Sequence, residues 1–417
     1  MKTFTQSIST DDPEIKNSLA VLESLFDIPC EKICVFDIET TGLSAKVSNV
    51  YLIGLMIISK TEIKSIQLFA DDYTSEQTLL EEFDAILADM DAVLHFNGTT
   101  FDIPYLEEKY KKYNLASPFI DLESIDLYKL VGKKRHIFPT ENLKLVSVEK
   151  LVGYDRGDDS DGGECIRIYT EYMTKKYAGD EAGSKECMDI VLKHNHDDII
   201  GTLLACQALA FVSPVFDEIS IDKKDDTLTL IAKLTNGIHF PASFAYNYSF
   251  EKSKKKKSKN SHSRLLDPGF ITSSSDYSSD KVITHMKSLG YEDNYTIVLF
   301  CNEFAYIVCP IITDEKYFFY DDHKEYFYLP DEDKAIHKSV GIYVDPSHRK
   351  KATAANCYTR KQGQFIQVPL TLSFSDAFYD KEKKDSGKYL LTDTLFDESS
   401  SGLSDITAEI IREFTLP

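Results

Sequence analysis

Three short acidic segments in this 417-residue chain carry side chains whose types and spacing suit metal-assisted chemistry. The first is Phe36-Asp37-Ile38-Glu39-Thr40-Thr41-Gly42-Leu43, which closes the apolar run Ile33 to Phe36. In a β-strand, residues i and i+2 point to the same face, so Asp37 and Glu39 would project together from one side of a sheet. Two adjacent carboxylates repel each other unless a positive charge lies between them. Hard divalent cations, which take oxygen ligands, fit that place. An isolated Asp-x-Glu at a strand end is more often a pair of solvated acids, so the weight falls on whether matching acids occur further on.

The second segment runs from His95 to Leu106 and includes Asn97-Gly98-Thr99-Thr100-Phe101-Asp102. Asp102 follows a strand and a glycine-containing turn and opens a helix, where its carboxylate can face the end of a sheet. Taken alone, helix capping is the better account of an Asp before a Pro-containing first turn. The third segment contains His194-Asn195-His196-Asp197-Asp198. His194 and Asp198 are four apart and share one face of a helix. A lone His there would be an ordinary surface residue; beside an acid, after two other acidic motifs, the functional reading is the better one.

Elements that could position these groups are legible. Asp11-Asp12-Pro13-Glu14 marks a helix start, and residues 1–29 read as a helical preface. Strands follow at Ile33–Glu39, Asn49–Ser59 and Glu62–Ala70, with short connections that suggest an antiparallel meander. Ser75–Met90 has helical periodicity, Ala92–Phe96 is a short buried strand, Pro104–Tyr113 is helical and Phe119–Leu122 is a further strand. From about Ser124 to Phe211 the pattern is mainly helical, broken by a loop at 154–163. This order predicts an α/β domain, a mixed sheet flanked by helices, over residues 30–213.

The three segments resemble the three exonuclease motifs of the DEDD superfamily of 3′→5′ exonucleases, and are most similar to the YprB-like, RNase H-like members. The likeness extends over residues 30–213 and takes in Asn142 to Glu149 and Arg156 to Glu164. It implies an RNase H-like fold and a 3′→5′ exonuclease acting on single-stranded DNA or RNA. Asp37, Glu39, Asp102 and Asp198 would hold two divalent cations, Mg²⁺ or Mn²⁺, and His194 would act as general base. Two such ions can clamp a phosphodiester, one activating water and the other stabilising the leaving oxygen. One departure stands out: in the superfamily, three residues between base and acid go with Tyr and four with His, and this chain has His at the tyrosine spacing. Orienting the water, as a Tyr would, is the alternative role for His194. Thr41 and Asn97 are further candidates for positioning substrate.

The remainder bounds the partners. A net charge of −21 argues against a passive nucleic-acid coat, though not against a local cleft. Eight cysteines without a Cys-x-x-Cys pair exclude a zinc ribbon, and with neither a secretory-type apolar core at Met1 to Asp12 nor an apolar run long enough to span a bilayer, a reduced, cytoplasmic protein is expected. Gly162, taken as the sixth position of a calcium loop, puts Gly157 first and Ile168 last, where Asp and Glu are needed, so that reading fails. A lid at this acidic loop is a minority reading. Residues 214–417 read as a β-rich C-terminal domain, with a mobile Lys/Ser-rich loop at about 251–280 and a final helix at Ser404–Phe414. Between 335 and 361 lie Lys338, Arg349, Lys350, Lys351, Arg360 and Lys361 against one acid, Asp345, with Tyr343 and Tyr358 interleaved. Cations that track phosphates and aromatics that stack on bases are what single-strand binding uses, and a solvated face is an equal alternative. Two rivals to the exonuclease remain: a catalytically silent nucleic-acid-binding module, and an endonuclease or structure-specific nuclease on the same fold.

Overall fold

In the computed structural model, a strand that the sequence pattern hid opens the chain. The residues described are all except 157–161, 236, 249, 251–262, 267–281, 283, 285–286, 289–294, 373–375, 383–386, 397–402 and 416–417. They form two compact units, Met1–Val215 with Thr235–Ala242, and Phe216–Leu234 with Ser243–Pro417. Most of the lysine-rich stretch at 251–280 and the loop at 157–161 therefore lie outside the described residues.

In the first unit, β1 (Lys2–Ser9) pairs antiparallel with β4 (Glu62–Phe69). Only its mate on the sheet makes it a strand, since its side chains are mostly exposed and give no apolar alternation to read. The expected helical preface is thus confined to α1 (Pro13–Leu25), capped by Asp12, whose carboxylate accepts from the Glu14 and Ile15 amides. β2 (Ile33–Thr40), β3 (Val50–Ile58) and β4 form the meander, and β5 (Ala92–His95) and β6 (Glu123–Asp126) complete a sheet of order β1-β4-β3-β2-β5-β6. β2, β5 and β6 run parallel, whereas β3 is antiparallel to β2. Phe119–Leu122 is not the sixth strand: Pro118–Ile120 is a 3₁₀ turn, and the strand begins at Glu123.

Helices α2 (Glu76–Leu87) and α3 (Asp102–Tyr113) cover one face of this sheet. Phe36 of β2 lies 5.5 Å from Phe83 of α2 and 5.9 Å from Phe119, ring centroid to centroid. Because strand side chains alternate, Asp37 and Glu39 must face the other way. After α4 (Leu127–Gly132) and α5 (Leu145–Leu151), that opposite face is covered by α6 (Gly162–Tyr177) and the 25-residue α7 (Glu181–Ala205). Tyr51 of β3 stacks on Tyr169 of α6 at 3.9 Å. A short α8 (Leu209–Val212) ends the helical run.

The second unit is largely antiparallel. One sheet comprises β7 (Phe216–Lys224), β8 (Thr227–Leu234), β9 (Phe244–Tyr248), β10 (Arg264–Leu265), β11 (Thr296–Cys301) and β12 (Phe304–Pro310), in the order β10-β9-β11-β12-β8-β7. β13 (Ile312–Phe319) then leads, past β14 (Tyr326–Leu329), β15 (Lys334–His337) and β16 (Lys350–Lys351), to β17 (Tyr358–Val368), β18 (Phe378–Tyr379) and β19 (Lys388–Leu391). β13, β17, β19 and β18 close a small barrel, and β15-β14-β16 form a three-stranded sheet. A C-terminal helix spans Leu403–Thr415. All eight cysteines are buried and unbridged. Among the described residues, no helix is long and apolar enough to cross a membrane.

Candidate active site

The acids meet where the sheet changes direction. β2 is parallel to β5 on one side and antiparallel to β3 on the other. The carboxyl ends of the two parallel strands therefore open on one edge, the place where open α/β sheets form a crevice. Asp37 and Glu39 lie in the C-terminal half of β2, and the pairing with β3 shifts register between Glu39 and Thr40. The chain leaving β5 turns through Asn97, at φ 64°, and Gly98, and delivers Asp102 as the first residue of α3.

That turn is tightly held. Asp126 at the end of β6 accepts from the Asn97 amide at 3.0 Å and from the Thr99 hydroxyl. The Gly98 amide donates to His95 Nδ1 at 3.0 Å, so the Nε2 proton faces Ser124 Oγ at 2.8 Å. Burial pushes His95 down to about 4 and keeps it neutral. A Cβ at position 98 would sit 2.7 Å from the His95 ring, so only glycine fits. Asp102 Oδ1 in turn accepts from the Ile38 amide at 3.3 Å, which ties α3 to β2 between the two acids.

From the opposite side, α7 brings His194 and Asp198. One carboxylate oxygen from each of Asp37, Glu39 and Asp198 falls in a cluster no wider than 4.8 Å. His194 Nε2 is 3.4 Å from Asp198 Oδ2 and 3.7 Å from Glu39 Oε1. Burial, then the charges of Asp198, Asp102 and Glu39, raise the Asp37 carboxyl well above its usual range, partly offset by a hydrogen bond from Asn195. Glu39 is raised likewise by burial and by Asp198 and Asp102. Asp102 is pushed up to about 7, first by burial. Buried acids that resist ionisation together need a cation nearby, and an all-oxygen donor set suits a hard divalent one. The buried Cys165 thiol also lies within 4.8 Å of ligand atoms of Glu39 and His194, an overlapping group that shares Glu39.

Several residues here went unassigned in the sequence. Asn195, fully buried on α7, donates from Nδ2 to Asp37 Oδ2 at 3.1 Å, and its Oδ1 accepts from Gln67 Nε2 at 2.9 Å. Gly54 of β3, paired with Asp37, leaves room for it: a Cβ there would overlap the Asn195 amide. Arg156 forks between Glu149 of α5 and Asp198. Asn195 lay inside the third motif, and its helical position one residue from His194 was the available signal. Arg156 and Glu149 lay within the stretches that carry the family likeness, but the contact of Arg156 with Asp198, forty-two residues on, had no local signal.

Other predicted residues are placed as follows. The Thr41 hydroxyl accepts from the Asn49 amide at 2.8 Å and closes the β2–β3 loop. His196 meets Ser65 Oγ at 3.1 Å, and Asp197 pairs with Lys193 at 2.6 Å, so neither joins the cluster. The basic residues belong to the second unit. Lys350 and Lys351 are exposed on β16, and Lys361 is exposed on β17. Arg349 lies 4.6 Å over the Phe327 ring, Lys338 is 4.0 Å from Glu325, and Arg360 pairs with Glu315 at 3.5 Å. Tyr343 is 89% exposed, but Tyr358 is buried and gives its hydroxyl to Asp333 at 2.6 Å, so it offers no stacking face.

An acidic crevice at the parallel-strand ends of a mixed sheet is an RNase H-like arrangement. Residues 34–209 match the family model RNase_H_2, described as RNase_H superfamily, so this stretch is an RNase H-like domain. A PolC-type DNA polymerase III of Mycoplasma pneumoniae is 30% identical over 112 residues, covering 21% of this chain and 8% of that protein. The family B DNA polymerase of the archaeon Pyrobaculum calidifontis aligns with TM-score 0.33 and 14% identity, over 52% of this chain and 34% of its own. E. coli Exonuclease I in complex with a dA16 oligonucleotide gives 0.24 and 12%, over 48% of this chain and 54% of its own. The chain thus spans only a fraction of each relative's length.

Proposed function

We propose that this chain is a divalent-metal-dependent nuclease that hydrolyses phosphodiesters from the 3′ ends of single-stranded DNA or RNA. The observation that carries the reading is the convergence of Asp37, Glu39 and Asp198 within 4.8 Å, with Asp102 tied to the backbone between the first two. Asp37, Glu39 and Asp198 would hold one ion, and Asp102 would extend the site toward a second. Such ions, Mg²⁺ or Mn²⁺, would polarise the phosphodiester and acidify a bound water. His194 would hold the water's proton at Nε2, between Asp198 and Glu39, as the P–O3′ bond breaks. Asn195 and the Ile38 amide keep Asp37 and Asp102 aimed. Lys338, Arg349, Lys350, Lys351, Arg360 and Lys361 would attract the strand through its phosphates.

A silent nucleic-acid-binding module is the second reading, favoured by one observation: the Arg156 guanidinium already engages Asp198. End-labelled DNA and RNA oligomers with Mg²⁺ or Mn²⁺ separate the two. The nuclease shortens them from the 3′ end, Asp37→Ala does not, and a circular single strand stays intact. Cleavage of the circle would mean an endonuclease; no metal-dependent cleavage of any strand would leave the binding module.

A further inference from the structure

Arg156 is a charged side chain only 4% exposed, and nothing in the hydrolysis as proposed uses it. Its Nε donates to Glu149 Oε2 at 2.9 Å, Nη2 reaches Glu149 Oε1, and Nη1 reaches Asp198 Oδ1. Glu149 is 1% exposed on α5, a helix packed against α7. Two parallel bonds to a carboxylate fix a guanidinium plane in a way that a single contact cannot. The third donor then fixes the carboxylate it meets.

The helix is shaped to accept this pair. Gly201 lies three residues beyond Asp198, on the same side of α7. A Cβ there would overlap Glu149 Oε1 and come within 3.3 Å of Arg156 Nη2. The backbone of α7 has therefore been left bare where the fork is seated. The consequence falls on Asp198: Oδ1 is held by Arg156, while Oδ2 turns to His194, 3.4 Å away.

We propose that the Glu149–Arg156 pair is a positioning device for the candidate metal ligand Asp198, fixing one carboxylate oxygen so that the other faces the ion site. The inference rests on the metal-centre reading above. It also separates two effects of opposite sign. By charge alone, removing a cation beside the site would tighten divalent binding. Loss of a ligand's outer partner weakens it, typically by 10- to 100-fold.

Mn²⁺ binding to the full chain, followed by calorimetry without any substrate, tests the proposal. Arg156→Met is expected to weaken Mn²⁺ about 10- to 100-fold, and Arg156→Lys, which keeps charge but not the fork, should not rescue it. Gly201→Ala, which changes no charge, should weaken it in the same direction. Because Arg156→Met strands a buried Glu149, its folding is relieved in the double variant Glu149→Leu/Arg156→Met, an apolar replacement of the whole pair. The double variant is expected to melt near the wild type yet still bind Mn²⁺ weakly. Wild-type or tighter Mn²⁺ binding by the double variant overturns the positioning role and leaves the pair merely structural. If wild type and Asp37→Asn bind Mn²⁺ equally, the metal-centre reading itself falls, and this inference with it.

Discussion

The first unit buries two sets of acids, and they are treated in opposite ways. Glu76 of α2 is 2% exposed, yet it is saturated: Lys109 lies at 3.1 Å and Lys112 at 2.7 Å, the Tyr113 hydroxyl donates at 2.7 Å and the Val50 amide at 2.8 Å. Burial would raise its carboxyl, but these partners outweigh it and hold it below the usual range. At Asp37, Glu39 and Asp102 the balance is reversed, and each is raised. A carboxylate whose counter-charge is built in contributes to stability. Acids left to repel one another lower it, and a site that keeps them is prepared for a charge from outside. The lesson is that burial alone does not mark a functional acid; what compensates it does.

The sharpest test of the contrast is a neutral side chain in each set. Asp37→Asn should lower metal-dependent cleavage by on the order of a thousandfold, the worth of several kcal/mol of transition-state stabilisation. The same change should raise the melting temperature of the metal-free protein, because one repelling charge is gone. A lower melting temperature would erase the distinction between the two sets. Glu76→Gln should do the reverse. It strands Lys109, 1% exposed, at a cost of about 3–5 kcal/mol in denaturant unfolding, with cleavage per folded molecule unchanged.

A smaller effect is expected one step out from the acids. Asn195→Leu removes the hydrogen bond to Asp37 and should weaken divalent binding or cleavage about 10- to 100-fold, read by metal titration. If it behaves as wild type, Asp37 is aimed by the strand alone. The gentlest test is pH. Asp102 has an ordinary value of 3.8 and a folded one of about 7, so the folded protein retains a proton that the unfolded chain releases. Without metal, the stability of the wild type relative to Asp102→Asn should therefore fall as pH rises from about 4 to about 7, a comparison in which the opposite contribution of His95, held down to about 4, cancels. Saturating Mg²⁺ should flatten that slope. A slope of opposite sign would show that Asp102 is paired like Glu76.

Local signals made the acidic motifs legible. Alternation put Asp37 and Glu39 on one face of a strand, the i, i+4 rule put His194 and Asp198 on one face of a helix, and Asn97-Gly98 marked the turn before Asp102. The same logic misplaced β6 by a few residues, since Pro118–Ile120 is apolar but curls into a 3₁₀ turn. It also missed β1, whose exposed side chains show no pattern and whose partner, β4, lies more than fifty residues away. Tyr358 looked available beside basic neighbours, and only the packing of β17 shows its ring turned inward.

What the sequence determined by itself was the set of acids and the elements that bear them, because periodicity and turn chemistry act over a few residues. What the tertiary structure decided was which charges find partners. Lys109 and Lys112 reach Glu76 from another helix, whereas Arg156 reaches past Glu149 to Asp198 across forty-two residues of chain. Gly54 and Gly201 acquire meaning only when Asn195 and Glu149 fill the space above them. Compensation of a buried charge depends on distances of a few ångströms between remote segments, and no local pattern encodes those.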